Sequence, residues 1–288
     1  MNWADRSGNV TEGDNSQDKL LKAMYTTVVG RAALSLLVKP VVSRACGRFL
    51  DTGISTLIVK PFCNANNIDL SEYEKRQFSS FNDFFTRKIK ADKRPFDIEQ
   101  DALVSPCDSR LTVYKIDEEA RFNVKNTKYT VKQLLRDGRL AKEFEGGYIC
   151  IFRLSVDDYH RYAYIDDGVQ SSERFIQGAL HTVNPIANDY YPIYKENSRE
   201  YCLIKTVNFG EMIAMEVGAL LVGKIVNYDE KCIVKRGQEK GRFEYGGSTI
   251  ILMFKKDAVE IDEDIIKNTK NDCETRVRMG EKVGNKRA

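Results

Sequence analysis

The sequence has few histidines and no long apolar run. Only two histidines, His160 and His181, occur in 288 residues, so a mechanism that needs a base near neutral pH has few candidates for it. No stretch of about 18 apolar residues is present, and a transmembrane helix would need one. The start, Met1–Ser7, lacks a basic segment followed by an apolar run. We therefore predict neither a membrane span nor a secretory signal.

Cysteine spacing and net charge exclude further classes of protein. The seven cysteines are odd in number, and no two of them form a CxxC pair. This argues against a disulfide framework and against a zinc site. We expect reduced thiols in a cytoplasmic compartment and no metal. The net charge of +3 is too small to indicate a nucleic-acid partner.

Helical periodicity marks the N-terminal part of the chain. Apolar residues recur at helical spacing from Leu20 to Phe49, and Pro40 is predicted to break the run. One interpretation is a helical pair packed on the core. The other is a segment on a membrane surface, whose basic residues meet lipid phosphates. Residues 70–90 are predicted to add more helix.

The pattern changes after Arg94-Pro95, where short apolar runs alternate with turn residues. We predict an α+β fold, with a helical N-terminal segment (residues 1–93) followed by a mostly antiparallel β core (residues 94–288). The predicted strands include Tyr148–Leu154, Tyr201–Val207, Met212–Val217, Leu220–Val226 and Thr249–Phe254.

Two glycines precede Ser248, and an apolar strand is predicted directly after it. A Gly-Gly-Ser turn that enters a strand is most often only structural. The same arrangement also suits a serine that cleaves its own chain, because Gly247 leaves its carbonyl unshielded and tolerates strained backbone angles. The hydroxyl could attack that carbonyl. Elimination and hydrolysis would then leave a pyruvoyl group.

His160 and Asp108 are the other candidate catalytic residues. A lone histidine is more often structural, but His160 is the best general base that the sequence offers. Asp108 follows Pro106 in a turn, where aspartate is common for local reasons. A carboxylate that orients a histidine could also lie there. Nothing in the sequence itself brings these two residues to Ser248.

Taken in order along the chain, these segments resemble the phosphatidylserine decarboxylase family, particularly its bacterial branch. The resemblance runs from about Phe81 to Gly284 and is looser before that. The matching segments are Phe81–Arg87 with Arg94-Pro95, Ser105–Asp108, Asp158–Arg161, Val183–Pro185, Asn197–Arg199, Val217–Ala219, Val222-Gly223, Lys235–Phe243, Gly247–Thr249, Glu274-Thr275 and Met279–Glu281.

The resemblance implies a precursor that cleaves itself between Gly247 and Ser248. A β chain (1–247) and an α chain (248–288) would stay associated as a heterodimer, possibly within a higher oligomer. Residue 248 would become a pyruvoyl group, which forms a Schiff base with phosphatidylserine and accepts electrons as carbon dioxide leaves. The product would be phosphatidylethanolamine, made without a metal or an external cofactor. We expect peripheral attachment to the cytoplasmic side of the cell membrane.

Two positions depart from the family pattern. Ser109 stands where the family usually has glycine, and Ala163 stands where it usually has a second histidine. The family assigns that histidine to activating the cleaving serine, paired with the aspartate that matches Asp108. We hypothesise that His160 serves both steps, or that a water relays the proton at position 163. Positions 160 and 163 face opposite sides of a regular strand, so the first option needs an irregular backbone.

Three alternatives remain open at this point. The first is an unprocessed relative that binds lipid but forms no pyruvoyl group, because Ala163 removed the base. The second is a serine hydrolase that uses Ser248, His160 and Asp108, although the serine lacks a Gly-x-Ser-x-Gly context. The third is a membrane-binding module built on residues 20–49, which would leave the ordered motifs unexplained.

Overall fold

The computed structural model describes residues 2–12, 23–27, 30, 34, 40–75, 77–124, 127–183, 192–219, 224–244 and 248–287. The helices are α1 (Pro40–Leu50), α2 (Val59–Asn66), α3 (Phe81–Phe85), α4 (Val131–Leu135), α5 (Gly138–Lys142), α6 (Ile193–Glu196) and α7 (Glu263–Lys270), with 3-10 helices at Gly53–Ile58, Leu70–Glu72 and Ala91–Lys93.

The strands are β1 (Trp3–Ala4), β2 (Val10–Thr11), β3 (Ala102–Val104), β4 (Ser109–Lys115), β5 (Arg121–Val124), β6 (Thr127–Thr130), β7 (Tyr148–Leu154), β8 (Arg161–Ala163), β9 (Gly168–Gln170), β10 (Arg174–Ile176), β11 (Arg199–Thr206), β12 (Glu211–Val217), β13 (Lys224–Asn227), β14 (Cys232–Val234), β15 (Glu239–Glu244), β16 (Ser248–Phe254), β17 (Val259–Ile261), β18 (Glu274–Val277) and β19 (Lys282–Lys286).

One large sheet forms the centre of the described structure. Its strand order is β14-β9-β11-β12-β16-β7-β4-β18-β1-β2, and β10 pairs with β11 beside this path. The β1–β18 pair is parallel, whereas β16 is antiparallel to both of its neighbours, β7 and β12. All seven residues of β16 are buried. Because both faces of β16 are covered, its sequence is apolar from Ile250 to Phe254 instead of alternating.

Smaller sheets complete the core. The sheet β13-β15-β8 packs over the large sheet near β16, and side chains of β8, β12, β15 and β16 line one small cavity between the two sheets. The sheet β17-β19-β3 and the hairpin β5-β6 are separate units. Helix α7 packs against β4, where the Val113 amide donates to Thr269 Oγ1 at 3.1 Å. The α+β class and the mostly antiparallel pairing are therefore confirmed.

The helical N-terminal segment is not confirmed. The chain begins with the short strands β1 and β2, and most of residues 13–39 lie outside the described residues. Helix α1 spans Pro40–Leu50. Residues 35–39 lie outside the described residues, so the predicted break of the helical run at Pro40 stays a prediction. Among the described residues of 70–90, the helical ones are Leu70–Glu72 and Phe81–Phe85. Among the described helices, none is long and apolar enough to cross a membrane.

The predicted strands fall where the apolar runs are. Tyr148–Leu154 matches β7 at both ends, and β11, β12 and β16 agree with their predicted runs to within two residues. Residues 220–223 of the run Leu220–Val226 lie outside the described residues, and β13 begins at Lys224. The boundary near residue 93 stays a prediction. Arg6 nonetheless donates to Asp262 and Asp264 at 2.7 Å, so the first residues contact the C-terminal part.

Three arginines lie side by side across the large sheet. Arg153 of β7 is opposite Arg110 of β4, which is opposite Arg276 of β18. Like charges in this arrangement repel. Glu274 offsets the repulsion by accepting from Nε of Arg153 at 2.7 Å and from its Nη2, and both side chains are buried. The ring of Trp3 lies 5.6 and 5.4 Å from the other two guanidinium groups.

Glu274→Ala should lower the free energy of unfolding by about 3–5 kcal/mol, because it leaves the buried guanidinium of Arg153 without its carboxylate. The double change Arg153→Met with Glu274→Leu removes both charges and should lower the free energy of unfolding by less. Urea unfolding in a Ser248→Ala background, which keeps the chain in one piece, measures both. A single variant no less stable than the double variant would contradict this account of the pair.

Candidate active site

Ser248 is the first residue of β16 and lies opposite Leu154 of β7. Its side chain is fully buried, and Oγ has no hydrogen-bond partner among the described residues. Gly247, the other residue of the predicted cleavage site, lies outside the described residues. A buried hydroxyl without a partner costs stability. Such atoms are rare in folded proteins, and a functional role is one explanation for them.

His160 is held in one orientation directly before β8. Its Nδ1 lies 2.9 Å from the carbonyl oxygen of Asp158. A carbonyl can only accept, so neutral His160 carries its proton on Nδ1 and keeps a basic lone pair on Nε2. The imidazole is buried, and its centroid lies 4.1 Å from that of the Phe85 ring. Its backbone carbonyl accepts from the Phe243 amide at 2.9 Å.

The ring that supports His160 comes from helix α3. Ser80 caps this helix by accepting a hydrogen bond from the amide of Asp83, as serine commonly does at helix starts. Phe81, Phe84 and Phe85 are buried in an aromatic cluster at the same place. The segment Phe81–Phe85 thus forms a short capped helix and also supplies the ring against which His160 packs.

Asp108 is bound to an arginine. Arg94 donates from Nε to Oδ1 at 2.8 Å and from Nη2 to Oδ2 at 2.6 Å, and the Met279 amide donates to Oδ1 at 2.9 Å. These contacts saturate much of the carboxylate. The structure thus brings Asp108 to Arg94 and Met279, and its proposed role toward His160 stays a prediction. Arg94 and Asp108 are 14 residues apart in the chain, and no periodic pattern in the sequence indicates that they pair.

Backbone contacts connect the turn of Asp108 with β8. The amide of Ala163 donates to the carbonyl of Pro106 at 2.9 Å. Opposite Ala163, strand β15 is irregular, since Glu239 pairs with Ala163 whereas Gly241 pairs with Tyr162. The extra residue is Lys240. Such bulges change the direction of a side chain. The irregular backbone near position 163 therefore lies on the partner strand β15, and not on β8 itself.

Asp158 is a half-buried acid that the sequence did not single out. Its Oδ2 accepts from the Ser155 amide at 2.7 Å, and Ser155 Oγ in turn accepts from Arg110 at 2.5 Å. Burial, together with the neighbouring charge of Asp157, raises the pKa of Asp158 to about 7. This carboxyl group can therefore exchange a proton near neutral pH. Only its place two residues before His160 could have drawn attention to it.

Comparison with known proteins decides the family. The sequence model of the phosphatidylserine decarboxylase family matches residues 81–285. The phosphatidylserine decarboxylase proenzyme 2 of Clostridium acetobutylicum is 49% identical over 92% of this chain and 91% of the relative. The chain belongs to the phosphatidylserine decarboxylase family. The phosphatidylserine decarboxylase proenzymes of Ruminiclostridium cellulolyticum and Clostridium perfringens are 43% and 40% identical, each over 93% of this chain, and 91% and 93% of these relatives are covered.

As a member of the phosphatidylserine decarboxylase family, the chain is a decarboxylase, and thus a lyase. The serine hydrolase and the membrane-binding module considered above therefore lose their support. The family match covers Asp108, His160 and Ser248, and it leaves their individual roles to experiment.

The raised pKa of Asp158 predicts a pH-dependent stability. The ordinary pKa is 3.8 and the folded value about 7, so between these values the folded state holds a proton that the unfolded state has released. Stability thus falls as the pH rises through this window. Asp158→Asn removes the ionisable group and therefore this loss of stability at high pH. In a Ser248→Ala background, Asp158→Asn should raise the thermal midpoint by a few degrees at pH 8 and by much less near pH 4.

Asp92→Asn is the matched control. Because Asp92 is exposed, this substitution should change the thermal midpoint little at either pH. An equal effect of Asp158→Asn at pH 4 and pH 8 would show that ionisation of Asp158 does not set the difference.

Proposed function

We propose that the chain is the precursor of an enzyme that decarboxylates phosphatidylserine to phosphatidylethanolamine. Its pyruvoyl group would arise from Ser248 when the Gly247–Ser248 bond is cleaved. The observation that carries the proposal is the buried Oγ of Ser248, without a partner among the described residues, at the first position of a central strand. The relatives named as proenzymes support it as well.

The strand pairing suits two chains that stay together after cleavage. The piece 248–288 contributes β16, which pairs with β7 and β12 of the other piece, and β18, which pairs with β4. It also contributes β19, which pairs with β3. Cutting one bond before β16 leaves all of these ladders in place. The heterodimer therefore needs no new interface.

The surroundings of residue 248 fit a pyruvoyl group. The position is buried, so bulk water has little access to a ketone there. When formed, the group supplies an electron sink for the loss of carbon dioxide from an amine-bearing substrate. His160 would hold or accept a proton at Nε2, and Phe85 and the Asp158 carbonyl would keep its ring in place. Asp108 would act with Arg94 as a fixed ion pair at the same site.

Peripheral attachment to the cytoplasmic side of the membrane is part of the proposal. Ile54 and Leu57, in the 3-10 helix after α1, are 71% and 76% exposed, and Phe49 is exposed beside them. Arg48 and Lys60 are exposed on the same stretch. Apolar side chains flanked by basic ones suit a membrane surface with anionic lipids. The stretch adjoins the predicted membrane segment 20–49, most of which lies outside the described residues.

Purified protein is expected to contain fragments 1–247 and 248–288, with the N-terminus of the smaller one blocked by the pyruvoyl group. Intact mass and a denaturing gel measure this, and carbon dioxide release from phosphatidylserine vesicles measures the activity. Ser248→Ala should remain a single 32.9 kDa chain without activity. His160→Ala should lose activity by about 100-fold or more, as expected for a general acid–base residue.

A parent chain that stays intact would indicate the unprocessed relative and would refute the proposed function. A His160→Ala variant that cleaves itself at the parent rate would show that His160 does not serve the cleavage step. Cleaved parent protein that releases no carbon dioxide from phosphatidylserine would refute the substrate alone.

Ile54→Glu and Leu57→Glu should each weaken binding to phosphatidylserine vesicles by about tenfold, since a buried apolar side chain contributes about 1.5–3 kcal/mol. Sedimentation with vesicles measures the bound fraction. Ile98→Glu is the control, because Ile98 is 96% exposed but lies outside this stretch. Equal binding by all three variants and the parent would refute this surface as the attachment site.

A further inference from the structure

A buried group of charged side chains lies beside the strand that begins with Ser248. The ammonium of Lys240 lies 2.7 Å from Glu173 Oε1 and 3.0 Å from Glu216 Oε1. It also donates to Asn227 Oδ1 at 3.0 Å, and Asn227 Nδ2 donates to Glu200 Oε2 at 3.0 Å. The side chains of Lys240 and Glu216 are 4% and 1% exposed. Two carboxyl groups, those of Glu173 and Glu216, thus share one ammonium group, and Glu200 joins the group through Asn227.

This arrangement favours a bound proton. With every carboxyl group ionised, the group would carry two uncompensated negative charges, and buried charge of this kind is costly. Burial raises the pKa of Glu216 to about 7, with Glu173 adding to the effect and Lys240 opposing it. Burial and Glu216 also raise the pKa of Glu200. Glu216 can therefore take up and release a proton near neutral pH.

Strand register places Glu216 on the same face as Ser248. Glu216 of β12 lies opposite Ile250 of β16. Successive residues of a strand alternate between faces, so Ser248 and Ile250 share a face with Glu216. A residue and its diagonal neighbour in an adjacent strand are about 7–8 Å apart, within reach of a long side chain. Glu216 is thus a diagonal neighbour of the buried hydroxyl.

The same carboxylate faces the position where the family's second histidine is missing. Ala163 and Glu216 line one cavity, together with Ile250 and Lys240. The cavity has a volume of about 20 Å³, and its wall is almost wholly apolar. Among the described residues that line it, Glu216 and Lys240 are the charged ones. An ammonium group has no lone pair, so of these two Glu216 is the one that can accept a proton.

We propose that Glu216 accepts the hydroxyl proton of Ser248 during self-cleavage, in place of the histidine absent at position 163. This inference rests on the proposed function. Lys240 acts as the positioning residue, because its contact at 3.0 Å and the bulge in β15 hold the Glu216 carboxylate in place. His160 is then left to the decarboxylation step.

The proton balance of this step is closed. As Ser248 Oγ bonds to the carbonyl carbon of Gly247, its proton passes to Glu216. The carbon–nitrogen bond breaks, and Glu216 returns the proton to the departing amide nitrogen. The product is an ester between the two residues with a free amine on residue 248. No oxidant, reductant or metal takes part.

The test follows the appearance of fragment 248–288 with time in freshly purified precursor. Glu216→Gln keeps the shape of the side chain but cannot accept the proton, so cleavage should slow by about 100-fold or more. Glu200→Gln is the matched control. Glu200 lies opposite Glu216 and belongs to the same group, but it is one strand farther from β16, so this variant should cleave near the parent rate. Thermal midpoints of both variants check that they fold.

A pH profile separates a proton acceptor from a structural residue. In the parent, the cleavage rate should fall as the pH drops through about 7, and in Glu216→Gln this dependence should vanish. The titratable or charged groups that face Glu216 are Glu173, Glu200, Lys240, Tyr162 and Cys202. Ala163→His in the Glu216→Gln background should restore cleavage, because it places an imidazole on the same cavity.

The inference is wrong if Glu216→Gln cleaves at the parent rate with the parent pH profile. It is also wrong if Glu200→Gln slows cleavage equally, since the buried charged group would then affect cleavage only through the stability of the fold. Failure of Ala163→His to restore cleavage would refute the replacement of a histidine by Glu216. His160→Ala should still cleave, and its failure to do so would favour His160 as the base. An intact parent chain would instead refute the proposed function itself.

Discussion

The pairing of β16 with β7 on one side and β12 on the other is the constraint on which the other features depend. It buries Ser248 at the start of a central strand and leaves its hydroxyl without a described partner. It also sets the register that puts Glu216 diagonally across from that hydroxyl. Finally, it would keep the C-terminal piece within the sheet if the chain is cut as proposed. One ladder of hydrogen bonds thus governs the placement of Ser248 and the choice of its neighbours.

Charges are concentrated in the interior around this strand. Arg153 is neutralised by Glu274, Asp108 by Arg94, and Lys240 by Glu173 and Glu216. Pairs of this kind add little to stability compared with apolar side chains of similar volume. They do fix the protonation and direction of polar groups in a region from which water is excluded. A reaction that moves protons within a buried site needs this property more than it needs added stability.

The β core was predictable because burial on both faces leaves continuous apolar runs, and Tyr148–Leu154 matched its strand at both ends. The helical segments were less predictable, since most of the described residues in 70–90 are not helical. Ser248 and His160 could be singled out by local context and rarity. Glu216 could have been noticed as the one acidic residue near the end of an apolar strand, but its contact with Lys240 depends on a bulge that no local pattern reveals. The partnership of Asp108 with Arg94 likewise depends on tertiary structure.

The position of β16 in the chain has a consequence for the order of events in the cell. This strand fills the gap between β7 and β12, and it is synthesised after both of them. A ribosome-bound chain that ends before residue 248 has two unfilled strand edges at the centre of its largest sheet. The buried environment of Ser248 therefore cannot form until β16 itself has been synthesised. The setting of this serine depends on residues that follow it in the chain and leave the ribosome after it.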